Sequence, residues 1–260
     1  MKNKILKITD RVVIFLNSLF LLVWVIGAVA LSITGNKSYY EHQFEKNNTA
    51  EKLHWAYAEG DTIKEISYDK DDLDIIINKI IDYLDNKTDD MQVYIDGLEV
   101  FSNQAIYHMK DVKDLYNRGR ILCTICFVLF LLGLLYMFFR YDNIKQIAFK
   151  HSLIALAIVG GIILIIGISM AINFRWTFTL FHKIIFPDPV KYKNAFFRPA
   201  SNYAEKAHIN NQLLTSILNL DIFKDAGIII MSSVILSYVI WIFILFMFKH
   251  NTKKNKMNEA

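Results

Sequence analysis

Residues 121–139 read ILCTICFVLFLLGLLYMFF, and none of these side chains is charged. A run of this length, folded as an α-helix, crosses a hydrocarbon core about 30 Å thick. Helices of soluble proteins are rarely apolar on every side for so many residues. The run therefore predicts a helix that spans a membrane.

Three more runs of the same kind lie before and after it in the chain. Leu153–Ile172 and Ala226–Phe248 carry no charged side chain, and Val12–Leu31 has only Asn17 and Ser18 as polar interruptions. Each run is long enough to cross a bilayer. Together the runs predict an all-α integral membrane protein with four transmembrane helices.

The distribution of Lys and Arg gives these helices an orientation. The N-terminus, the Arg140–Lys150 loop and the tail from Lys249 together hold 11 Lys and Arg against three acids. Gly35–Arg118 holds 10 against 18 acids, and Phe174–Asp225 holds 7 against 4. Because basic residues collect on the cytoplasmic side, both termini and the middle loop are predicted inside and the two long segments outside. The net charge of +4 only averages these zones. No nucleic-acid partner is expected, because the basic clusters lie where membrane topology requires them.

The first outer segment has a pattern of its own. Apolar residues recur with helical spacing between Lys70 and Asn86, which predicts an amphipathic helix. Asp96-Gly97 separates the short apolar stretches 91–95 and 98–101, and this dipeptide suits the type I′ turn of a hairpin. Asp61–Glu65 is polar and turn-like. The segment is therefore predicted to form a small extracytoplasmic α+β cap.

The predicted organisation has five parts. They are the cytoplasmic N-terminus with the first span (1–34), the extracytoplasmic α+β segment (35–118), the second and third spans with their cytoplasmic loop (119–174), the second extracytoplasmic segment (175–225), and the fourth span with its basic tail (226–260). A helix over Ser102–Arg118 is expected to lead into the second span.

Several classes of protein lack support in this sequence. Proton- and ion-coupled transporters usually carry an ionisable residue midway through a span, and these four runs have none. The motifs of ATPases, serine hydrolases and zinc proteases are absent from the sequence as well. Cys123 and Cys126 lie inside an apolar run, where they indicate two small packed residues rather than a redox pair. No cofactor and no metal are expected.

Two of the seven histidines are candidates for catalysis. His108 is followed three residues later by Asp111, on the same face of a predicted helix, where a carboxylate can orient an imidazole and increase its basicity. His182 lies just beyond the outer end of the third run. Two histidines near one membrane face could form a general acid–base pair. By spacing alone, the more common meaning of such a His–Asp pair is an ordinary surface contact on a helix.

The sequence around both histidines resembles the signatures of a known family. His108–Lys113, preceded by Phe101 and Ser102, and Phe181-His182 followed by Ile185-Phe186-Pro187 are similar to the two motifs of the bacterial lipoprotein intramolecular transacylases (Lit). The number of spans and the order of the motifs also agree. After Pro187 the chain reads DPVKYK, where the family has a Trp and an acidic stretch.

The resemblance implies an acyl shift within one lipoprotein molecule. The sn-2 acyl chain of its diacylglyceryl-cysteine would move to the cysteine's α-amino group and give an N-acyl lyso-form lipoprotein. The implied location is the bacterial cell membrane, with the active site on the extracytoplasmic face and membrane lipid around the substrate. The implied site residues are His108 and His182 as catalysts, Asp111 as the orienting residue, and, for substrate contacts, Lys113, Arg175, Phe181 and Phe186.

Two other functions remain open from the residues themselves. One is a metal-dependent outer-leaflet hydrolase of lipids or lipoproteins that uses His108, Asp111 and His182 as ligands, a set that zinc accepts. The other is a non-catalytic membrane partner or sensor protein whose acidic segment binds another protein. In that second case the two histidines need not be close to each other.

The position of His108 sets one geometric requirement. A straight helix continued outward from Arg120 would carry His108 about 18 Å beyond that residue, which is far from the lipid headgroups. The sequence therefore predicts either a bend around Asn117–Gly119 or a span that begins earlier, near Leu115.

Overall fold

The computed structural model describes residues 2–59, 62–101, 103–186 and 212–258. Within these ranges the chain forms eight helices and four short strands. In chain order they are α1 (Lys2–Thr34), α2 (Lys37–Lys46), α3 (Thr49–Lys52), β1 (His54–Glu59), β2 (Thr62–Ser67), α4 (Lys70–Leu84), β3 (Tyr94–Ile95), β4 (Leu98–Glu99), α5 (Asn103–Phe139), α6 (Tyr141–Ile185), α7 (Gln212–Ile217) and α8 (Leu220–Asn258).

The four longest helices contain the four apolar runs. Segments long and apolar enough to cross a membrane are found at Leu6–Thr34, Ala105–Phe139, Ile147–Ile185 and Leu220–Met247. Many of their apolar side chains face outward, as they must where lipid is the solvent; Ile172 is 80% exposed and Phe138 75%. The prediction of a mostly helical protein with four transmembrane helices is confirmed.

The chain divides into two compact units. The membrane unit consists of Met1–Ala30, Gly119–Phe174 and Ile228–Ala260, and the second unit of Leu31–Arg118 and Arg175–Gly227. The backbone of α6 leaves helical values at Asn173 (φ −152°, ψ 87°), next to this division. Helix α5 has no such interruption and residues 117–119 are helical. The helix therefore runs without the predicted bend around Asn117–Gly119, and an earlier beginning of the span, near Leu115, stays a prediction.

The membrane unit has a polar centre at Ser18 of α1. The Ser18 hydroxyl lies 3.1 Å from both the Ile14 carbonyl oxygen and the Ser152 hydroxyl of α6. From α8, Tyr238 donates to the Ser18 carbonyl oxygen (2.9 Å) and Trp241 to its hydroxyl (3.4 Å). Polar side chains inside a bilayer join helices in this way because lipid offers them no partner. Ser18, one of the two polar residues in the first run, therefore joins three spans, α1, α6 and α8.

The core of the second unit forms around the predicted amphipathic helix. Helix α4 begins with a capping box between Asp69 and Asp72, which satisfies two free N–H groups at its start. Its apolar stripe is buried in a common core; the buried members are Leu73, Ile76, Ile77, Ile80, Ile81 and Leu84. Removal of this stripe from water stabilises the unit, at about 1.5–3 kcal/mol for each fully buried aliphatic side chain.

The two hairpins of this unit show where the sequence pattern was informative. Strands β3 and β4 pair around Asp96 (φ 51°) and Gly97 (φ 77°), the two left-handed residues that a type I′ turn requires. Strands β1 and β2 pair over six residues, His54 with Ser67 through Glu59 with Thr62. The prediction of a polar turn at 61–65 was wrong for residues 62–65. Thr62 and Ile63 favour strands, and pairing with β1 holds Lys64 and Glu65 in the strand despite their low strand preference.

Candidate functional site

Helix α5 fixes the direction of His108 by burying its neighbours. Ala105 and Met109 are both 2% exposed and belong to the core of the second unit. His108 lies between these positions on the helix and is half-buried. Because the buried stripe sets the rotation of the helix, the imidazole is held at the edge of the core with one part accessible.

The last turns of α6 place three rings on one face. Phe178, His182 and Phe186 are spaced by four residues, and side chains at this spacing lie above one another on a helix. The N–H of Phe186 donates to the His182 carbonyl oxygen at 2.8 Å, which extends the helical geometry to Phe186. His182 is half-buried. The stripe therefore presents a histidine between two phenylalanines.

The two histidines lie against each other in the second unit. Their ring centroids are 5.3 Å apart, with an angle of 37° between the ring planes. Phe186 contacts both rings, at 5.2 Å from His108 and 4.9 Å from His182. Two imidazoles at this separation, partly shielded from water, can act on a single small reacting group, one as a base and one as a proton donor.

Asp111 lies one turn beyond His108 on α5. It is half-buried, and its negative charge acts on the imidazole of His108. A carboxylate in this position stabilises the imidazolium that forms when histidine accepts a proton. His108 therefore has an acidic neighbour on its own helix, and its partner histidine has aromatic ones.

The four predicted substrate contacts lie in different environments. The ammonium of Lys113 binds the chain itself: it donates to the Thr88 carbonyl oxygen (3.2 Å), lies 3.5 Å from an Asp89 carboxylate oxygen, and sits 4.2 Å above the Tyr83 ring centre. These contacts hold the loop after α4. Lys113 thus has a structural use in the second unit.

The other three predicted contacts lie on α6 or directly after it. Arg175 is exposed and shares the helix face of Phe178 and His182. Phe181 is 60% exposed, and Phe186 touches both histidines. Among the described residues, Phe186 is thus the predicted substrate contact that lies directly against the imidazoles.

Two further rings belong to the site but were missing from the sequence prediction. Phe178 lies 5.0 Å from His182, and Phe223 at the start of α8 lies 5.1 Å from Phe178. The spacing of four residues before His182 was a usable signal for Phe178. Phe223 carried no signal, because its contact joins distant parts of the chain.

The potential metal ligands among the described residues are not clustered. Across the described ranges, no group of three His, Cys, Asp or Glu side chains is arranged to hold a metal ion. The site is therefore characterised by an imidazole pair with one nearby carboxylate and a ring of apolar side chains.

The chain matches a protein-family model. The model described as "Lipoprotein intramolecular transacylase Lit" matches residues 14–190, more than half of the 260 residues. This range includes both histidines and Asp111. No curated protein matches the chain significantly.

Solved structures of similar fold come from Bacillus cereus. The membrane-integral lipoprotein intramolecular transacylase Lit of that organism superposes with a TM-score of 0.67 at 19% identity, over 95% of this chain and 98% of that one. Two variants of the same protein, each with one histidine replaced, give TM-scores of 0.65 and 0.62 at 18% and 17% identity. They cover 99% of this chain and 98% and 100% of theirs. At these identities the likeness concerns the fold alone.

Proposed function

The chain belongs to the lipoprotein intramolecular transacylase family, Lit, and on this premise we propose that His108 and His182 together carry out its acyl transfer. As a member of the family the chain is a membrane acyltransferase whose substrate is a lipoprotein. The observation that supports the proposal is the 5.3 Å separation of the two ring centroids. The pair lies within the matched range of the family.

The chemistry needs one proton to move between two groups of the substrate. The α-amino nitrogen of the diacylglyceryl-cysteine bonds to the carbonyl carbon of the sn-2 ester, and the bond from that carbon to the glyceryl oxygen breaks. A proton leaves the nitrogen and one arrives on the oxygen, so the product has the mass of the substrate. Because nucleophile and electrophile share one molecule, their proximity supplies several of the about 7–11 kcal/mol that good orientation can contribute.

The two imidazoles divide the proton transfers. His108 accepts the proton of the amine, since Asp111 on the same helix face stabilises the imidazolium that results. His182 donates to the glyceryl oxygen as it leaves and to the oxyanion that develops on the carbonyl oxygen. No covalent acyl-enzyme is needed in this scheme. His182 acts as a neutral imidazole that donates a hydrogen bond, and the imidazolium of His108 passes its proton on to the glyceryl oxygen, so both histidines end neutral.

The substrate's own structure determines where the site must lie. A diacylglyceryl lipoprotein sits with its acyl chains in the bilayer and its ester and amine at the headgroup level. The Lys/Arg distribution puts the second unit on the extracytoplasmic side, where its α+β part caps the outer leaflet. The exposed ring of Phe181, the ring of Phe186 and the guanidinium of Arg175 contact the acyl chains and ester groups. Membrane lipid surrounds the remainder of the substrate.

The experiment follows the position of the acyl chain. Purified protein receives a diacylglyceryl lipopeptide without added nucleotide, metal or acyl donor, and the product is fragmented in a mass spectrometer. The expected product has unchanged mass, an amide at the cysteine nitrogen and a free glyceryl hydroxyl. An unchanged lipopeptide would contradict the function in this substrate, and released fatty acid would indicate a hydrolase.

A second arm tests that the transfer is intramolecular. Two substrates with distinguishable acyl chains and distinguishable peptides are mixed with the protein. We expect each peptide to keep its own chains, because donor and acceptor never separate. Extensive exchange of chains between the peptides would mean an intermolecular transferase.

A further inference from the structure

His182 is held by rings rather than by hydrogen bonds. Its neighbours are His108 at 5.3 Å, Phe178 at 5.0 Å and Phe186 at 4.9 Å between ring centroids. In the part of the chain that the structure describes, its imidazole has no hydrogen bond to protein. Packing alone therefore sets the direction of its nitrogens, and any shift of the supporting rings turns them.

Phe178, on one side of His182, has support from another helix. Its ring lies 5.1 Å from Phe223, in the first turn of α8. Phe223 is 39% exposed, so surrounding core does not hold it in place by itself. The backbone at the start of α8 must fix it.

Helix α2 holds that backbone through one stripe of polar side chains. Tyr39, Gln43 and Lys46 are spaced by four and three residues and so lie on one face. Tyr39 donates to the Ile222 carbonyl oxygen at 2.6 Å, Gln43 donates to the Asp225 carboxylate at 3.0 Å, and Lys46 pairs with the same carboxylate. These contacts bind Ile222 and Asp225, which lie before and after Phe223 in the chain.

The hydrogen bonds from α2 to the start of α8 are expected to persist over a wide pH range. Desolvation, together with the Asp225 charge, raises the pKa of Tyr39 to about 12, so its hydroxyl stays protonated and can donate. Gln43 is 3% exposed, which leaves its amide little freedom to turn away. Ile222 is 2% exposed and belongs to the core. The start of α8 is thus anchored from the core and from α2.

We infer that the Lys46–Asp225 contact on α2 and α8 positions His182 for catalysis, through Phe223 and Phe178. The inference rests on the proposed function of His182. Phe223, Phe178, Asp225 and Lys46 are positioning residues in it. The contact is not simply a source of stability, because an ion pair whose partners are 51% and 21% exposed adds little to folding.

The inference is tested by reversing the charge of Asp225 and then restoring the ion pair with a second substitution at Lys46. Asp225→Lys sets two ammonium groups against each other and should lower kcat about tenfold or more through misplacement of the donor. KM should change less than about twofold, because an interaction made in the transition state is lost while substrate contacts remain. Adding Lys46→Asp restores the pair with reversed charges and should restore most of kcat. Phe223→Ala should lower kcat similarly, and Lys46→Asp should not rescue it.

The matched control reverses a charge in the ion pair of Glu45, the residue next to Lys46 on α2. Glu45 forms an ion pair with Lys70 at the start of α4, on a different element from α8. Lys70→Glu should leave kcat and KM unchanged. Wild-type kcat in both Asp225→Lys and Phe223→Ala, with an active wild-type protein, would overturn the inference while the proposed function stands.

A measurement that does not need turnover distinguishes failure of this inference from failure of the proposed function. Histidine rings are labelled with ¹³C, and the His182 signal is identified by its loss in His182→Ala. Asp225→Lys and Phe223→Ala should both shift this signal, because it senses the flanking rings, and Lys46→Asp should return it only in the first. Lys70→Glu should leave it in place. An unmoved signal in both variants overturns the inference even if wild-type protein shows no transacylase activity.

Discussion

In the proposed mechanism the imidazoles of His108 and His182 supply the proton transfers that a tethered amine and ester cannot arrange by themselves. Replacing either with alanine should reduce turnover of a diacylglyceryl lipopeptide at least about a hundredfold, the usual contribution of a positioned acid or base. Both side chains are only half-buried, so the variants should still accumulate in the membrane. His42→Ala is the control, since His42 is an exposed histidine of the same unit. A wild-type rate in either variant removes that histidine from the mechanism.

In the proposed mechanism Asp111 acts through His108, so its replacement should have a milder effect on kcat. We expect Asp111→Asn to reduce kcat about tenfold, within the range seen when a residue supporting a functional histidine is lost. KM should change little, because in the proposed mechanism the carboxylate stabilises the His108 imidazolium and makes no substrate contact. A kcat as low as that of His108→Ala would instead make Asp111 a direct participant, and steady-state kinetics of the two variants side by side distinguish these cases.

The rate should increase with pH across the neutral range. An imidazolium cannot accept the proton of the amine, and the substrate's ammonium form cannot attack the ester. The ordinary pKa of histidine is about 6.5 and that of an α-amino group about 7.7–8.0. We therefore expect kcat/KM to rise as the pH increases from about 6 to 8. A profile that is flat or falls over this interval contradicts a neutral histidine as the base.

The site's residues were predictable to different degrees. His108 and His182 are 74 positions apart, and neither spacing nor periodicity joins such residues; their pairing was expected from the resemblance of two short motifs. Asp111 followed from helical spacing, which is local. The position of Phe223 depends on the contacts of α2 with the start of α8. Contacts between distant parts of the chain have no signature in the sequence.

At the scale of elements, α1 packs closely on α5 because position 133 is a glycine and has no side chain. A Cβ added at Gly133 would lie 2.1 Å from the Asn17 side-chain oxygen. Asn17 is 1% exposed, and its amide nitrogen contacts the Met137 sulfur at 3.8 Å, so it has little room to withdraw. We expect Gly133→Ala to destabilise the protein by about 1–3 kcal/mol, the cost of overpacking a core. Thermal unfolding in detergent measures this loss.

The same helix offers a control for that substitution. Gly119 also lies in α5, and a Cβ there would meet nothing within 4 Å. Gly119→Ala gains the same helix preference, about 1 kcal/mol, without the clash. Its unfolding temperature should therefore equal or exceed that of the wild type. Equal effects of the two alanines would show that Asn17 can move aside.

Elements defined by local patterns were predicted best. The buried stripe of α4 and the Asp96-Gly97 turn follow from side-chain periodicity and backbone conformation, and the structure has both. The β1–β2 hairpin was missed because its second strand is rich in polar residues and resembles a turn. Its pairing partner, His54–Glu59, lies in a stretch without strong apolar alternation. Pairing between strands, not the preference of either one, decides this element.

At the scale of the whole molecule, apolar length determined the four membrane-spanning helices before any contact was known. Side chains that face lipid need no specific partner, so length and composition are enough to predict them. The contacts between the spans needed the structure. Asp10 of α1, for example, is 2% exposed and accepts hydrogen bonds from Tyr136 of α5 and from Arg140, the residue after α5. The charge count could not reveal these contacts.

The orientation of the molecule gives the last prediction. The second unit holds both histidines and Asp90, an exposed residue in the loop after α4. The Lys/Arg asymmetry predicts that this unit lies outside and the C-terminus inside. A phosphatase that is active only outside the cell, fused after Asp90, should therefore be active, and the same enzyme fused at the C-terminus should be inactive. A fluorescent protein that folds only in the cytoplasm should give the reverse pattern. If both positions report the same side, the number of spans between them is even, and the four-span topology with an outward site is wrong.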